Sequence, residues 1–196
     1  QGRILNACII GEGDSWYLAL ICEIALEVQE NKKPATGLDL GCNVSITSSQ
    51  TVDEEHFHHL PKTIKPLEAK LANKQQQQAR KKRGSNQWKT LKKEIRKVHR
   101  KIARTRHDWT HKKTTKIAKN HGMVFSEDSS IQEMTKSASG TLDSPGTDVA
   151  QKRGLNRSIL RNGWGLVHRQ LIYKCPWNGG IFAFVEPYYN SQKCRQ

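Results

Sequence analysis

The alternation of apolar and polar residues divides the chain into a strand-rich beginning and a helical middle. Two apolar stretches, residues 3–10 and 16–24, flank the turn-forming sequence GEGDS, and this arrangement predicts a β-hairpin. The sequence GLDLGCNVSIT from residue 37 and a weaker stretch over 51–57 predict three further short strands. Because the links between these strands are short, we expect an antiparallel meander.

From Pro61 onward the apolar positions follow a helical period. The first arm carries Ile64, Leu67 and Leu71, and the glycine of the sequence RGSN interrupts the pattern. Apolar positions of the second arm recur at alternating steps of four and three, which is the spacing of a coiled-coil seam. They are Leu91, Ile95, Val98, Ile102, Thr105 and Trp109. We therefore predict a hairpin of two long helices, each of which buries one narrow stripe.

The last third of the chain returns to alternating strands and helices. The sequence MVFSED predicts a short strand, residues 129–149 predict a flexible insertion rich in Ser, Thr, Gly and Asp, and residues 151–177 predict one helical stretch. The sequence NGG ends that stretch, and IFAFVEP predicts a final strand. This order is typical of the α/β class, with the later strands parallel to one another through right-handed crossovers.

The net charge of +15 is concentrated in the predicted helical hairpin. Residues 62–119 contain 21 Lys and Arg but three acidic residues, a balance of +18, so the remainder of the chain sums to −3. Ordinary solvated helix faces mix the two signs, whereas a block of one sign favours a polyanionic partner such as nucleic acid. The residues that we expect to contact phosphates are Lys81, Lys82, Arg83, Lys89, Lys92, Lys93, Arg96, Arg100 and Arg104.

Cysteine usage and hydropathy exclude two other classes of protein. The five cysteines form an odd set without a CxxC pair, which favours a reduced, intracellular setting over a disulfide framework. The longest apolar run, WYLALICEIALEV, is interrupted by Glu23 and is too short to span a bilayer. We therefore expect no membrane segment.

Two acidic residues stand inside apolar strand sequences. Asp39 is at the centre of GLDLG, in a strand that we expect to be buried on both faces, and Glu127 ends VFSE. A buried carboxylate needs a compensating partner. Paired carboxylates on adjacent strands can hold Mg²⁺ for phosphodiester hydrolysis. The alternative is structural: Asp39 would cap a turn between its glycines, and Glu127 or Asp128 would cap the next helix.

Six sequence blocks occur in the order found in one known family. They are GLDLG, KKRGSNQWKTLKKEIRKVHRKIARTRHDWTHKKTTKIA, VFSEDSSIQEM, GLNRSI, GWGLVHRQLIYK and EPYYNSQKC. Their order resembles TnpB, a family of transposon-encoded, RNA-guided DNA nucleases related to type V CRISPR effectors. The resemblance covers nearly the whole chain.

The resemblance implies a RuvC nuclease domain of ribonuclease H-like fold over residues 36–190, a mixed sheet into which the basic hairpin 61–121 is inserted. Asp39 and Glu127 would be catalytic and would bind Mg²⁺. The hairpin would lie against a guide RNA and its heteroduplex with target DNA. Residues 1–30 would end an oligonucleotide-binding β-barrel domain. The expected location is the prokaryotic cytoplasm, in association with the nucleoid.

The resemblance also sets expectations for the end of the chain. Residues 191–196 would open a zinc ribbon, with Cys194 as the first ligand of a Zn²⁺ site completed in a longer parent protein. The third catalytic aspartate of the family would lie beyond that ribbon. Glu186 is the one acidic residue after Trp164, and the family does not give it that role. We therefore expect the 196-residue chain by itself not to cleave DNA at a useful rate.

Two other functions remain open at this point. A nuclease-inactive relative could act as a guided transcriptional repressor, although such a protein would be marked by loss of the metal-binding acids. A basic, RNA-binding structural protein of ribosomal type would have no reason to carry GLDLG and VFSED on strands. The sequence indicates neither the guide, nor the target-adjacent motif, nor the oligomeric state.

Overall fold

The computed structural model of the protein describes residues 2–13, 15–128, 130–140 and 144–186. Its strands are β1 (Arg3–Glu12), β2 (Ser15–Glu23), β3 (Thr36–Asp39), β4 (Ile46–Val52), β5 (Glu55–His58), β6 (Met123–Glu127) and β7 (Ile181–Val185). Its helices are α1 (Ile64–Ala79), α2 (Asn86–Asn120), α3 (Ile131–Met134), α4 (Val149–Asn162) and α5 (Trp164–Trp177).

A mixed five-stranded sheet in the order β5-β4-β3-β6-β7 organises the molecule. Strands β3, β4 and β5 pair antiparallel, and β6 pairs parallel with both β3 and β7. The predicted meander and the parallel arrangement of the later strands are both confirmed. Helices α1 and α2 connect the edge strand β5 to β6 on the other side of β3, and α3, α4 and α5 connect the neighbouring strands β6 and β7, so the chain has the mixed α/β architecture that the order of its elements predicted.

The main hydrophobic core lies between one face of this sheet and helices α2 and α5. Leu38 of β3 and Val124 of β6 are buried there against Ile117 of α2 and Leu171 of α5. On the opposite face Asp39 is exposed, and Gly37, Phe125 and Glu127 are partly buried. The prediction that its strand is buried on both faces is therefore wrong, because helices pack against one face of the sheet.

The predicted helical hairpin is confirmed, and α1 and α2 pack through part of the expected seam, whereas Trp109 packs against the core of the sheet. Ile64 of α1 and Val98 and Ile102 of α2 form a second buried cluster. The hydroxyl of Ser85 caps α2 by accepting a hydrogen bond from the Trp88 backbone N–H at 3.2 Å. Such a cap satisfies one of the unpaired donors of the first helical turn. The positive φ of Gly84, +86°, fits the glycine that interrupts the pattern.

The single helical stretch predicted over residues 151–177 is two helices. Gly163, with φ of +68°, ends α4 and begins α5. This left-handed conformation is one that glycine adopts without the steric cost that a Cβ brings. The predicted flexible insertion, 129–149, contains the single-turn helix α3, and Ser129 and residues 141–143 lie outside the described ranges.

Strands β1 and β2 form the expected β-hairpin, which is a separate two-stranded sheet. Its large apolar side chains, such as Ile9, Trp16 and Leu18, are exposed. Glu12 at its tip accepts a hydrogen bond from Arg104 of α2 at 2.7 Å. The assignment of this hairpin to a β-barrel domain stays a prediction. Among the described helices, none combines the length and the apolar character needed to cross a bilayer.

Candidate metal site and nucleic-acid surface

Asp39 and Glu127 end two neighbouring parallel strands. The register pairs Leu38 of β3 with Ser126 of β6, so each acidic residue is the next one along its own strand. Side chains alternate between the two faces of a sheet, and therefore Asp39 and Glu127 occupy the face opposite to the buried Leu38 and Ser126. The expectation that the two acids lie on adjacent strands is confirmed.

The two carboxylates have oxygens available for a ligand. Neither Asp39 nor Glu127 makes a side-chain hydrogen bond or ion pair with any other described residue, and Glu127 is half-buried. Three or more His, Cys, Asp or Glu side chains do not converge on a metal-sized site anywhere in the described ranges. The helix-capping alternative is not supported for Glu127 or Asp128, because the residue at the N-terminus of α3 is Ser130.

The loop that follows Asp39 is held by the junction between α4 and α5. The indole N–H of Trp164 donates to the carbonyl of Gly41 at 3.3 Å, and the Asn162 amide donates to the carbonyl of Cys42 at 3.0 Å. The amide oxygen of Asn162 accepts from the Ser45 hydroxyl at 2.6 Å. Asn162 and Trp164 are both buried. These bonds fix the backbone that leads out of the Asp39 position.

The strand that carries Glu127 is held by a histidine of α5. Ser126 and His168 are buried, and the Ser126 Oγ lies 3.0 Å from the His168 Nε2. Burial lowers the pKa of His168, whereas the nearby Asp128 carboxylate acts in the opposite direction. The His168 ring also packs edge-on against Phe184 of β7, with 5.0 Å between the ring centroids. The end of β6 is thus tied to both α5 and β7.

The cations predicted to bind nucleic acid fall into two groups. Those of the α1–α2 loop and the first turns of α2 are exposed, and the Lys92 ammonium lies 5.1 Å from the centre of the Trp88 ring. Arg100 and Arg104, one and two turns further on, are engaged by the tip of the β1–β2 hairpin. The hydrogen bonds that Arg104 donates to Glu12 and Tyr17 raise the pKa of Arg104. These two arginines are therefore less available to a ligand than the other seven cations.

The expected zinc ligand, Cys194, lies outside the described residues. Cys8, Cys22, Cys42 and Cys175 are free thiols. Burial raises the pKa of Cys175 to about 11, so this thiol stays protonated at neutral pH.

Sequence reasoning missed the residues that support the two acids. Asn162, Trp164 and His168 are far from Asp39 and Glu127 along the chain, and no local pattern marks them as neighbours. The one available signal was the presence of these residues in and beside the block GWGLVHRQLIYK. Arg153, Arg157 and Arg161 of α4 were also missed, although their spacing of four residues could have shown a basic helix face.

A model of the OrfB_IS605 family, described as "Probable transposase", matches residues 20–138. This match covers more than half of the chain. The protein belongs to this family. The resemblance to TnpB that the six blocks indicated is thereby confirmed, and the matched range includes Asp39, Glu127 and the whole helical hairpin.

Curated relatives of this family member are similar over almost its whole length. The chain is 36% identical over 193 residues to "Putative RNA-guided DNA endonuclease InsQ" of Escherichia coli (strain K12), covering 98% of the chain and 47% of the relative. It is 26% identical over 178 residues to "Putative RNA-guided DNA endonuclease" of Streptomyces pristinaespiralis, covering 91% of the chain and 40% of the relative. The chain thus spans about half the length of the curated relatives that it matches.

Proposed function

We propose that the protein contributes the catalytic core of an RNA-guided DNA endonuclease of RuvC type, with a ribonuclease H-like fold. The observation that carries this proposal is the placement of Asp39 and Glu127 at the same end of two neighbouring parallel strands, with no described partner on either carboxylate. The 36% identity to a relative named as an RNA-guided DNA endonuclease supports the choice of substrate.

The two carboxylates fit a magnesium site in chemical type. Mg²⁺ prefers oxygen ligands, and it is commonly held by one or two carboxylates together with substrate phosphates and water. Asp39 is exposed and Glu127 is half-buried, so an ion held between them would remain accessible to a phosphodiester. When bound, Mg²⁺ would neutralise phosphate charge and favour ionisation of the attacking water.

Other residues of the chain hold the backbone beside the two carboxylates or supply positive charge. Asn162 and Trp164 hold the loop after Asp39, and His168 holds β6 beside Glu127. Misplacement of a catalytic group by about 1 Å can cost about 10²-fold in rate. The exposed cations of the helical hairpin would bind the backbone of a guide RNA and of its heteroduplex with target DNA, whose shape rather than sequence the protein would recognise.

Two parts of the proposal concern the ends of the chain, and a third concerns its location in the cell. Residues 1–30 would complete a β-barrel domain that binds oligonucleotides, and Cys194 would be one ligand of a Zn²⁺ ribbon whose other ligands lie in a longer protein. The protein would act on DNA in the nucleoid of a prokaryotic cell.

The test is cleavage of a target duplex by the product of the complete reading frame that contains this chain, with its guide RNA and Mg²⁺. Asp39→Asn and Glu127→Gln should each lower the cleavage rate by at least about 10²-fold, because each removes a charged metal ligand while keeping the shape of the side chain. Guide RNA binding should be unchanged, since neither carboxylate belongs to the basic surface.

Glu133→Gln is the matched control. Glu133 is an exposed acid of α3 that pairs with Lys136 at 3.2 Å, and its neutralisation removes the same charge away from the paired strands. Wild-type cleavage by Asp39→Asn or Glu127→Gln would refute the assignment of that residue.

A further inference from the structure

A second basic site lies between the helical hairpin and α4. Two adjoining cavities, of ≈ 440 and ≈ 580 Å³, share Glu68, Leu71, Arg157 and Arg161 in their walls. Arg106 and Arg153 are two further cations in the wall of the first cavity. We call this feature the arginine groove and define it by Arg106, Arg153, Arg157 and Arg161. The nine cations that the sequence predicted to bind phosphates do not line it.

The sequence of α4 explains the arginine groove. Arg153, Arg157 and Arg161 follow one another at steps of four residues, which places them on one face of the helix. Each step advances about 6 Å along the helix axis, at 1.5 Å per residue. The face that they form is turned toward α1 and α2, where Arg106 of α2 donates to the Leu160 carbonyl at 3.1 Å. The cations therefore form a row along the length of the groove.

Positive charge in the arginine groove exceeds what the protein itself neutralises. Glu68 is the acidic residue in its walls, and this carboxylate lies 3.1 Å from the Nε of Arg161. Burial lowers the pKa of Arg106. The Glu68 carboxylate acts in the opposite direction, and the charge of Arg161 lowers this pKa further. Arg153 and Arg157 are exposed and make no ion pair or hydrogen bond with other described residues.

Two buried donors in the groove, the Nε atoms of Arg106 and Arg161, lack a hydrogen-bond partner among the described residues, and the Arg161 Nε has only its ion pair with Glu68. The Nε of Arg106 is shielded from solvent and makes no hydrogen bond to any described residue. Buried polar groups without partners are costly, and they are uncommon in folded proteins unless a ligand or water satisfies them. The cavity therefore combines excess positive charge with an unused donor, and both favour an anionic ligand.

We propose that the arginine groove binds the phosphodiester backbone of a nucleic-acid strand. Guanidinium groups offer a planar pair of donors that matches phosphate oxygens, and all four cations here are arginines rather than lysines. The exposed Leu160 and the half-buried Leu71 supply apolar surface against which sugars can pack. The inference rests on the proposed function in one respect, namely that nucleic acid is the partner of this protein.

The experiment measures nucleic-acid binding in the presence of EDTA, so cleavage is not required. Fluorescence anisotropy of a 20-nucleotide RNA and of a DNA of the same sequence is recorded with the full chain over a series of salt concentrations. The logarithm of the binding constant falls by about 0.7 per logarithm of salt for each single-strand phosphate contact. The double variant Arg153→Gln/Arg157→Gln should therefore reduce the slope by about 1.4.

Two further variants separate a binding site from a general effect of charge. Lys32→Gln/Lys33→Gln removes the same charge from two exposed lysines outside both the groove and the helical hairpin, and it should leave the slope nearly unchanged. Arg153→Lys/Arg157→Lys keeps the charge and should retain most of the slope, with weaker binding because bidentate contacts are lost. Equal slopes for the two glutamine variants would refute the proposal. A larger loss with RNA than with DNA, or the reverse, would identify which strand occupies the groove.

A second measurement uses the unaltered protein and does not depend on how variants fold. Phenylglyoxal modifies accessible arginines, and bound oligonucleotide should protect Arg153 and Arg157 from it, as read by mass spectrometry. Unprotected arginines at saturating oligonucleotide, or equal protection by polyglutamate, would overturn the proposal. Loss of cleavage is not a readout here, so failure of the endonuclease proposal would leave these binding results interpretable, and the converse also holds.

Discussion

At the scale of single residues, Lys174 of α5 is a buried ammonium group that pairs with no carboxylate of the described residues. Its three N–H groups have four neutral acceptors at 2.8–3.1 Å from Nζ, which are the His111 carbonyl, the hydroxyls of Thr114 and Thr115, and the amide oxygen of Gln170. Burial lowers the pKa of Lys174 to about 8. Neutral acceptors satisfy its hydrogen-bonding capacity but do not offset the loss of hydration of the charge.

This environment predicts a specific dependence of stability on pH. The pKa of Lys174 lies below the ordinary lysine value of 10.5, so the unfolded chain binds more protons than the folded chain between pH 8 and 10.5. Stability contributed by this group must then rise with pH across that window and stay constant below it. The unfolding free energy of the wild type minus that of Lys174→Met should therefore increase by about 3 kcal/mol from pH 8 to 10.5.

Urea denaturation at several pH values measures this difference. Lys65→Met is the control, because Lys65 is exposed and its ammonium has no partner among the described residues. Its difference from the wild type should not vary with pH. If the unfolding free energies of the wild type and Lys174→Met changed in parallel with pH, burial would not have lowered the pKa of Lys174.

At the scale of elements, the junction between α4 and α5 connects the helical layer to the Asp39 loop. Gly163 adopts a left-handed conformation, and its two neighbours, Asn162 and Trp164, bind the carbonyls of Cys42 and Gly41. The turn at Gly163 therefore decides where both side chains point. A straight helix over the same residues would carry them to different faces.

Two glycine substitutions in this region should have opposite effects on stability. Gly163→Ala forces a Cβ into the left-handed region at φ of +68°, and this Cβ would lie 3.2 Å from the Arg106 side chain. We expect a loss of about 1–2 kcal/mol. Gly154→Ala adds a Cβ that meets no atom within 4 Å inside α4, so it should stabilise the protein by about 0.5–1 kcal/mol. Urea denaturation of both variants measures the difference, and a change of the same sign in both would contradict this interpretation.

At the scale of the whole molecule, the acidic residues outside the helical hairpin neutralise one end of it. Asp53 and Glu55, at the turn between β4 and β5, lie 2.7 Å from Lys116 and 3.5 Å from Lys113 of α2. Glu12 of β1 engages Arg104 in the same way. The cations around the α1–α2 loop have no such partners among the described residues. Free positive potential is therefore concentrated at the far end of the hairpin.

Removal of equal charge from the two ends should therefore have unequal effects on RNA binding. Lys93→Gln/Arg96→Gln should lower the slope of the salt dependence by about 1.4, because both cations are exposed and available to phosphates. Lys113→Gln/Lys116→Gln should change it little, because these lysines already pair with carboxylates. Anisotropy titrations with a single-stranded RNA measure both slopes. An equal decrease for the two variants would show that binding depends on total charge rather than on its distribution.

Much of the fold was predictable from the sequence, because the signals involved are local. The period of apolar positions determined the helical hairpin and its seam, and short alternating runs determined the strands of the sheet. The charge count determined that one segment is basic. Asp39 and Glu127 were recognisable as candidates because acids are unusual inside apolar strands, and their catalytic role stays a prediction.

Tertiary structure decided the features that depend on contacts between distant residues. Asp39 is exposed rather than buried because helices cover one face of the sheet, and a sequence pattern does not record which face receives them. Trp164 meets Gly41 although 123 positions separate them. The arginine groove likewise exists because α4 packs against the hairpin. Periodicity specifies how each element is built, whereas the packing of elements decides which of their faces meet and which charges remain unpaired.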